Sequence, residues 1–243
     1  MLKVLETAVP VSCWSCSVAH NESTLFCPHC SKIQPPSAGD CFSVFGLQPR
    51  LNLDLAALEH EFHRLSRKLH PDRYARAGEK EKQWSLAGAA LLNDAYRTLK
   101  DPLCRTEYLL KLQGAATGAT AASRGHAEFV QDQERAEDQK KNSRVPADLL
   151  EEVFDLNVQL EEMSRSKKAG REDSVLKETL LKAKHEFEAH VAAVDRDLRA
   201  QWAIWDAGDC SVRQPAERAM VALLDRRRYL SNLVRTVTEI LGD

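Results

Sequence analysis

Four of the chain's seven cysteines fall in two short pairs, Cys13-x-x-Cys16 and Cys27-x-x-Cys30, separated by ten residues. Two tight loops can each present two thiolates, and four sulfurs fill a tetrahedral coordination sphere with no open position. A closed set of this kind predicts one structural zinc ion, which would give the segment a stability that its few apolar residues cannot. The same residues leave other chemistry open. A rubredoxin-like iron centre uses four such ligands, one pair alone could be a redox dithiol, and a zinc ribbon could touch nucleic acid. His29, between two ligands, reads as a spectator; Cys41, Cys104 and Cys210 lie in helical contexts and read as small packing residues.

The second constellation is His70-Pro71-Asp72. Proline has no amide hydrogen and pushes the residue before it out of the helical region, so the tripeptide must end the helix that leads into it. By itself it is an ordinary surface turn. On the preceding helix, however, Arg64, Arg67 and Lys68 project opposite to the apolar stripe, and Arg73 follows the turn. Glu59 and Glu61 are expected to leave the C-terminal end of this basic face unneutralised.

These groups are positioned by helices. From Asp54 to Leu69, with Asp54 as N-cap, Leu58, Phe62, Leu65 and Leu69 recur at helical spacing. From Glu79 to Leu99, Trp84, Gly88, Leu91, Ala95 and Leu99 form a second stripe, so the two segments predict an antiparallel hairpin around Pro71. Three further stripes follow. They run through Leu149, Val153, Leu156, Leu160 and Met163; then from Leu176 to Trp205; then through Leu223, Leu230, Val234, Val237 and Leu241. Short connections favour an antiparallel three-helix bundle. Gln34–Gly39 reads as a linker, the polar stretch after Gly114 as a mobile loop, and Gly170, Gly208 and Pro215 as punctuation. No internal repeat is evident. The expected organisation is a cysteine head at 10–34, a hairpin domain at 40–112, a mobile linker at 113–145 and a bundle at 146–243.

The first bundle helix carries more apolar surface than one packing face needs. Leu150 and Phe154 are rotated by about 100° or more from the stripe, and Asp155, Glu151 and Glu162 lie beyond them. Such a mixture suits a partner offering hydrophobic and basic groups.

Composition narrows the function further. A net charge of -2 with 29% charged residues supplies no general basic field for nucleic acid. No apolar run reaches the roughly 18 residues that span a bilayer, and there is no secretory core, so neither membrane insertion nor secretion is expected. The first twelve residues match an Arg-rich, acid-poor presequence poorly. Clustered cysteines suit a reducing compartment. His185 and His190 stand five residues apart, about 140° around a helix, and do not form a metalloprotease pair. No phosphate-cradling loop or nucleophile motif is present, so no enzyme is expected.

Between Asp40 and about Asp101 the segments DCFSVFGL, EFHRLSRKLHPDRY and LLNDAYRTLKDP resemble the J-domain family. That resemblance implies that His70, Pro71, Asp72, Arg64, Arg67, Lys68 and Arg73 dock on the ATPase domain and linker of a heat-shock protein 70 family chaperone and promote its ATP hydrolysis. The following LCRTEYLLKLQG and the helical C-terminal part are similar to the HscB family of iron-sulfur co-chaperones. Its bundle binds the iron-sulfur scaffold protein and presents it to the chaperone. LLEEVFDLNVQLEE resembles the scaffold-binding helix at Leu150, Phe154, Asp155 and Glu162, and Tyr229 of RRRYLSNL matches an aromatic position on the last helix. Glu151 stands where an apolar residue is usual, and Val158 where an acid is usual. Eukaryotic members carry a tetracysteine head, which implies a eukaryotic protein, and the family resemblance implies the mitochondrial matrix; the N-terminus leaves a cytoplasmic location open. The expected fold is mainly α, with a small zinc-ribbon-like head, a J-domain hairpin and an antiparallel three-helix bundle. A general J-domain co-chaperone with another client and a zinc-ribbon nucleic-acid binder are the alternative functions.

Overall fold

The computed structural model describes residues 10–21, 24–36, 39–114, 147–169 and 173–242. It is mainly α and divides into two compact units, with 10–112 in one and 147–242 in the other. The expected mobile segment, beyond Gly114, and Gly170 lie outside the described residues.

Aspartate caps set the starts of the helices in the first unit. Asp40 accepts from the amides of Phe42 and Ser43 and opens α1, Cys41–Val44. Asp54 does the same for Ala56 and Ala57 at 3.0 Å and opens α2, Leu55–Leu69. Asp101 caps α4, Pro102–Leu112, through Leu103 and Cys104. In each case a short side chain takes up amides that have no partner within the helix. Between α2 and α3, Glu79–Lys100, a 3-10 turn spans Pro71–Tyr74. The two helices pack together, with α1 and α4 against α3.

The stripe on α3 differs from expectation by one position. Leu92 is buried, along with Ser85, Gly88, Ala95, Thr98 and Leu99, whereas Leu91 is only half-buried. Ser85 and Thr98 share the inner face as small side chains whose hydroxyls bond within the protein, so polarity alone masks them. Phe62 stacks on Tyr96 at 4.1 Å, closing the hairpin on its flank.

The second unit is the expected antiparallel bundle. Here α5, Leu150–Lys168, packs on both α6, Ser174–Ala207, and α7, Cys210–Leu241. Val153, Leu156, Leu160, Leu180, Phe187, Val194, Leu230 and Val237 are among the residues that form the core. Gly208 turns the chain from α6 into α7; a Cβ there would stand 2.8 Å from the Ile204 carbonyl oxygen, so only glycine fits. Pro215 does not interrupt the helix as expected but lies early inside α7, where it forgoes a single ladder hydrogen bond. Leu224, with Met220 and Ala216, takes the buried place expected of Leu223, which is half-buried. Cys210 is exposed rather than packed. No helix among the described residues is long and apolar enough to cross a membrane.

Candidate metal centre and docking surfaces

The four head cysteines converge. Their Sγ atoms all lie within 4.8 Å of one another, with Cys13 to Cys30 at 3.6 Å and Cys16 to Cys27 at 3.7 Å. Sulfurs on a tetrahedral metal with bonds of about 2.3 Å stand about 3.8 Å apart, so the donor set fits one such ion.

The geometry comes from a duplicated loop. In CWSCS the amide of Cys13 donates to the Val18 carbonyl and that of Ser17 to Cys13, both at 2.9 Å. In CPHCS the amide of Cys27 donates to Lys32 and that of Ser31 to Cys27, again at 2.9 Å. Ser17 and Ser31 both take left-handed conformations, with φ of 59° and 58°. The head therefore contains an internal repeat after all. Its signal was the serine following each cysteine pair, too short to register as a sequence period. A two-stranded hairpin, β1 Pro10–Ser12 with β2 Ala19–Asn21, carries the first loop, and a bridge from Phe26 to Ile33 carries the second.

The expected linker begins one residue later than Gln34. That side chain is buried, and its amide nitrogen lies 3.3 Å from Cys13 Sγ, 2.9 Å from the Lys32 carbonyl and 3.1 Å from the Ile33 carbonyl. An N–H aimed at a sulfur favours the thiolate that a metal requires. Burial pushes the Cys13 thiol up, but amides of Cys16 and Ser15 and the neighbouring thiols outweigh it and bring it down to about 6. At Cys16 the Val18 amide lowers the value, while burial and the other three thiols raise it to about 12.

At the end of α2, His70, Pro71, Asp72 and Arg73 are all exposed. His70 Nδ1 accepts from the Asp72 amide at 3.3 Å, which caps the 3-10 turn and requires that nitrogen to be unprotonated. The approach of the same atom to Asp72 Oδ2, 3.5 Å, becomes an ion pair only on protonation. The carboxylate itself points outward, 89% exposed.

Arg64, Arg67 and Lys68 are exposed on one side of α2. Glu61 reaches the near part of this face, where Arg64 Nε donates to it at 2.7 Å and a second nitrogen grips the other carboxylate oxygen, and Glu59 approaches His63 instead. That hydrogen bond holds the Glu61 carboxyl below the usual range. Arg67 and Lys68, one turn nearer the loop, carry the positive surface beside Asp72.

On α5, Leu150, Phe154 and Val158 are 54%, 69% and 50% exposed and recur every four residues. Glu151, Asp155 and Glu162 are exposed alongside them. Val158 was marked only as a departure at an acidic position; here it lengthens the apolar row. Tyr229 sits on α7, half-buried against the bundle core, and burial raises its phenol above the ordinary value. It does not share the exposed row. His185 Nδ1 lies 2.8 Å from the Leu181 carbonyl oxygen and His190 Nδ1 3.9 Å from Glu152, so the two histidines meet different partners.

No family model matches the chain. The mouse iron-sulfur cluster co-chaperone protein HscB is 38% identical over 111 residues, 44% of this chain and 47% of the relative. The human protein of that name is 39% identical over 106 residues, 42% and 45% respectively, so the chain spans about half the length of these curated relatives. The co-chaperone protein HscB homolog of Vibrio vulnificus is 32% identical over 162 residues, covering 66% of this chain and 81% of the bacterial one. The crystal structure of human co-chaperone protein HscB is similar with a TM-score of 0.59 and 25% identity, over 94% of this chain and 98% of that one. By length covered, identity and fold together, the chain belongs to the HscB co-chaperone family.

Proposed function

We propose that the chain is a co-chaperone of iron-sulfur cluster biogenesis that stimulates ATP hydrolysis by a heat-shock protein 70 family chaperone and delivers the iron-sulfur scaffold protein to it. The observation that carries this reading is the outward-facing Asp72 carboxylate, on a capped turn at the end of the exposed Arg67 and Lys68 face, in a chain of the HscB family.

The hydrolytic chemistry belongs to the chaperone. Arg73 and the cations of α2 offer an acidic surface complementary charge beside the turn of His70, Pro71 and Asp72, and together they bias the chaperone's switch only as far as they bind one conformation better than another. On the second unit, the Leu150, Phe154 and Val158 row with its acidic margin is the scaffold-binding surface, and Tyr229 contributes from α7. The domains divide at 10–34, 40–112 and 146–243, joined through 113–145. Zinc is the ion that Cys13, Cys16, Cys27 and Cys30 hold, since a four-thiolate set is closed and suits a structural role. The mitochondrial matrix is the proposed location.

A single-turnover ATPase assay tests the first arm: wild type accelerates the chaperone and Asp72→Asn does not. Equal stimulation by both would remove the docking role. Leu150→Ser with Phe154→Ser is expected to abolish capture of the scaffold while leaving helicity and ATPase stimulation intact; undiminished capture moves the scaffold site elsewhere.

A further inference from the structure

The cysteine head does not hang free of the hairpin. It touches both ends of the turn that carries His70, Pro71 and Asp72, and every touching residue lies within two positions of a ligand in sequence. Leu25 and Phe26 immediately precede Cys27. Leu25 and Leu69, the residue before His70, both lie over Gly88 of α3; a Cβ at Gly88 would stand 3.1 Å from Leu69 Cδ2 and 3.7 Å from Leu25 Cδ2. Phe26 lies beneath Lys68, whose Nζ is 5.6 Å from the ring centroid. Trp14, between Cys13 and Cys16, packs edge-on against Trp84 at 5.7 Å, and the pair borders the first turn of α3 at Gly78 to Glu81. Lys32 reaches Glu81 at 3.9 Å, and Glu81 in turn accepts from the Gly78 amide at 3.2 Å.

We infer that Trp14, Leu25 and Phe26 are positioning residues for the docking turn, and that the metal-loaded head clamps the end of α2 to the start of α3 so that residues 70–78 meet the chaperone in one conformation. The inference rests on the docking reading above. Residues 71–76 are mostly exposed and contribute no fully buried side chain, so the turn has little packing of its own to fix it. The head supplies that packing, and the head's order depends on its ion because four ligands replace the core it lacks. A turn fixed beforehand loses less entropy on docking.

The test uses the full chain with one equivalent of Zn²⁺, the same chain stripped by a chelator, and the Zn²⁺-loaded variants Trp84→Ala, Phe26→Ala and Phe26→Tyr. Trp84 belongs to α3, so its removal changes no residue of the cysteine loops themselves. Amide exchange at 72–78 is expected to quicken by about tenfold or more on stripping and in Trp84→Ala, as a locally opened segment does. The chaperone concentration at half-maximal stimulation should rise by about three- to tenfold in Phe26→Ala, with maximal stimulation unchanged, and return with the ring of Phe26→Tyr. Identical exchange at 72–78 in loaded and stripped chain overturns the clamp. Should the wild type fail to stimulate at all, the docking reading falls, and the exchange measurement alone still decides whether the head holds the turn.

Discussion

Ser85 Oγ donates a 2.5 Å hydrogen bond to the carbonyl of Leu69, and both residues are completely buried. The last carbonyls of a helix have no partner within it, and this one lies beside the exposed turn of His70, Pro71 and Asp72. A side chain from the middle of the hairpin therefore ties off the end of α2. Ser85→Ala should cost about 1–3 kcal/mol of stability, because a buried acceptor is left unsatisfied. Urea denaturation of the full chain measures it, and an unchanged midpoint would mean that another group satisfies Leu69.

Gln34 brings a donor to Cys13 that lies outside the cysteine pattern. Groups that orient metal ligands are worth about 10–100-fold in affinity. Gln34→Met keeps the bulk and removes the N–H, so competition with a chromophoric chelator should show Zn²⁺ binding weakened by about that factor. Because binding releases thiol protons, affinity in both proteins should fall as pH is lowered. Equal affinities would reduce Gln34 to a packing residue.

Asp148, in the 3-10 turn Ala147–Leu149 ahead of α5, pairs with Arg226 of α7 at 2.6 Å and 3.1 Å. The guanidinium hydrogen bond holds the Asp148 carboxyl below the usual range. A lowered folded-state value means that the pair's contribution is complete above the unfolded pKa, about 4, and disappears as pH falls through the folded value. The thermal midpoint of Asp148→Asn should thus lie below wild type near neutrality and converge on it as pH falls through the lowered folded value. Asp148 is 59% exposed and Arg226 33%, so water still screens the pair, and the gap is expected to be small and to shrink with salt. A constant gap across this range would assign the effect to packing.

The helices were legible because their causes are local. The cap at Asp54, the break at Pro71 and the apolar spacing of Leu58, Leu65 and Leu69 act within one or two turns, and the four ligands announce themselves by spacing. What escaped depends on neighbours distant in sequence. Leu92 rather than Leu91 faces inward because α1, α2 and α4 all share α3. Trp84, expected among the core residues, turns to Trp14 seventy residues away. Gln34 looked like the first residue of a linker because two prolines follow it, and nothing in its surroundings announced a sulfur 3.3 Å from its amide. The spacing of Glu61 and Arg64, three residues apart on one helix face, allowed the two-pronged grip between them, which leaves Arg67 and Lys68 at the C-terminal end as expected.

Arg105 is the one arginine buried in the hairpin unit among the described residues, and its charge is accommodated by backbone. Its Nε donates to the Leu51 carbonyl at 2.8 Å, and another guanidinium nitrogen donates to the carbonyl of Leu99 near the end of α3. A cation suits that place, since carbonyls at a helix end carry partial negative charge. One side chain thereby fastens the loop before α2 to the junction of α3 and α4. Arg105→Met preserves much of the volume but strands two buried acceptors, each worth about 1–3 kcal/mol, so a loss of about 2–5 kcal/mol is expected. Arg105→Lys should recover only part of it, because a single ammonium cannot reproduce the planar fork that reaches both carbonyls. Equilibrium denaturation ranks the three proteins, and a lysine variant as stable as wild type would show that charge alone, without the fork, holds the junction.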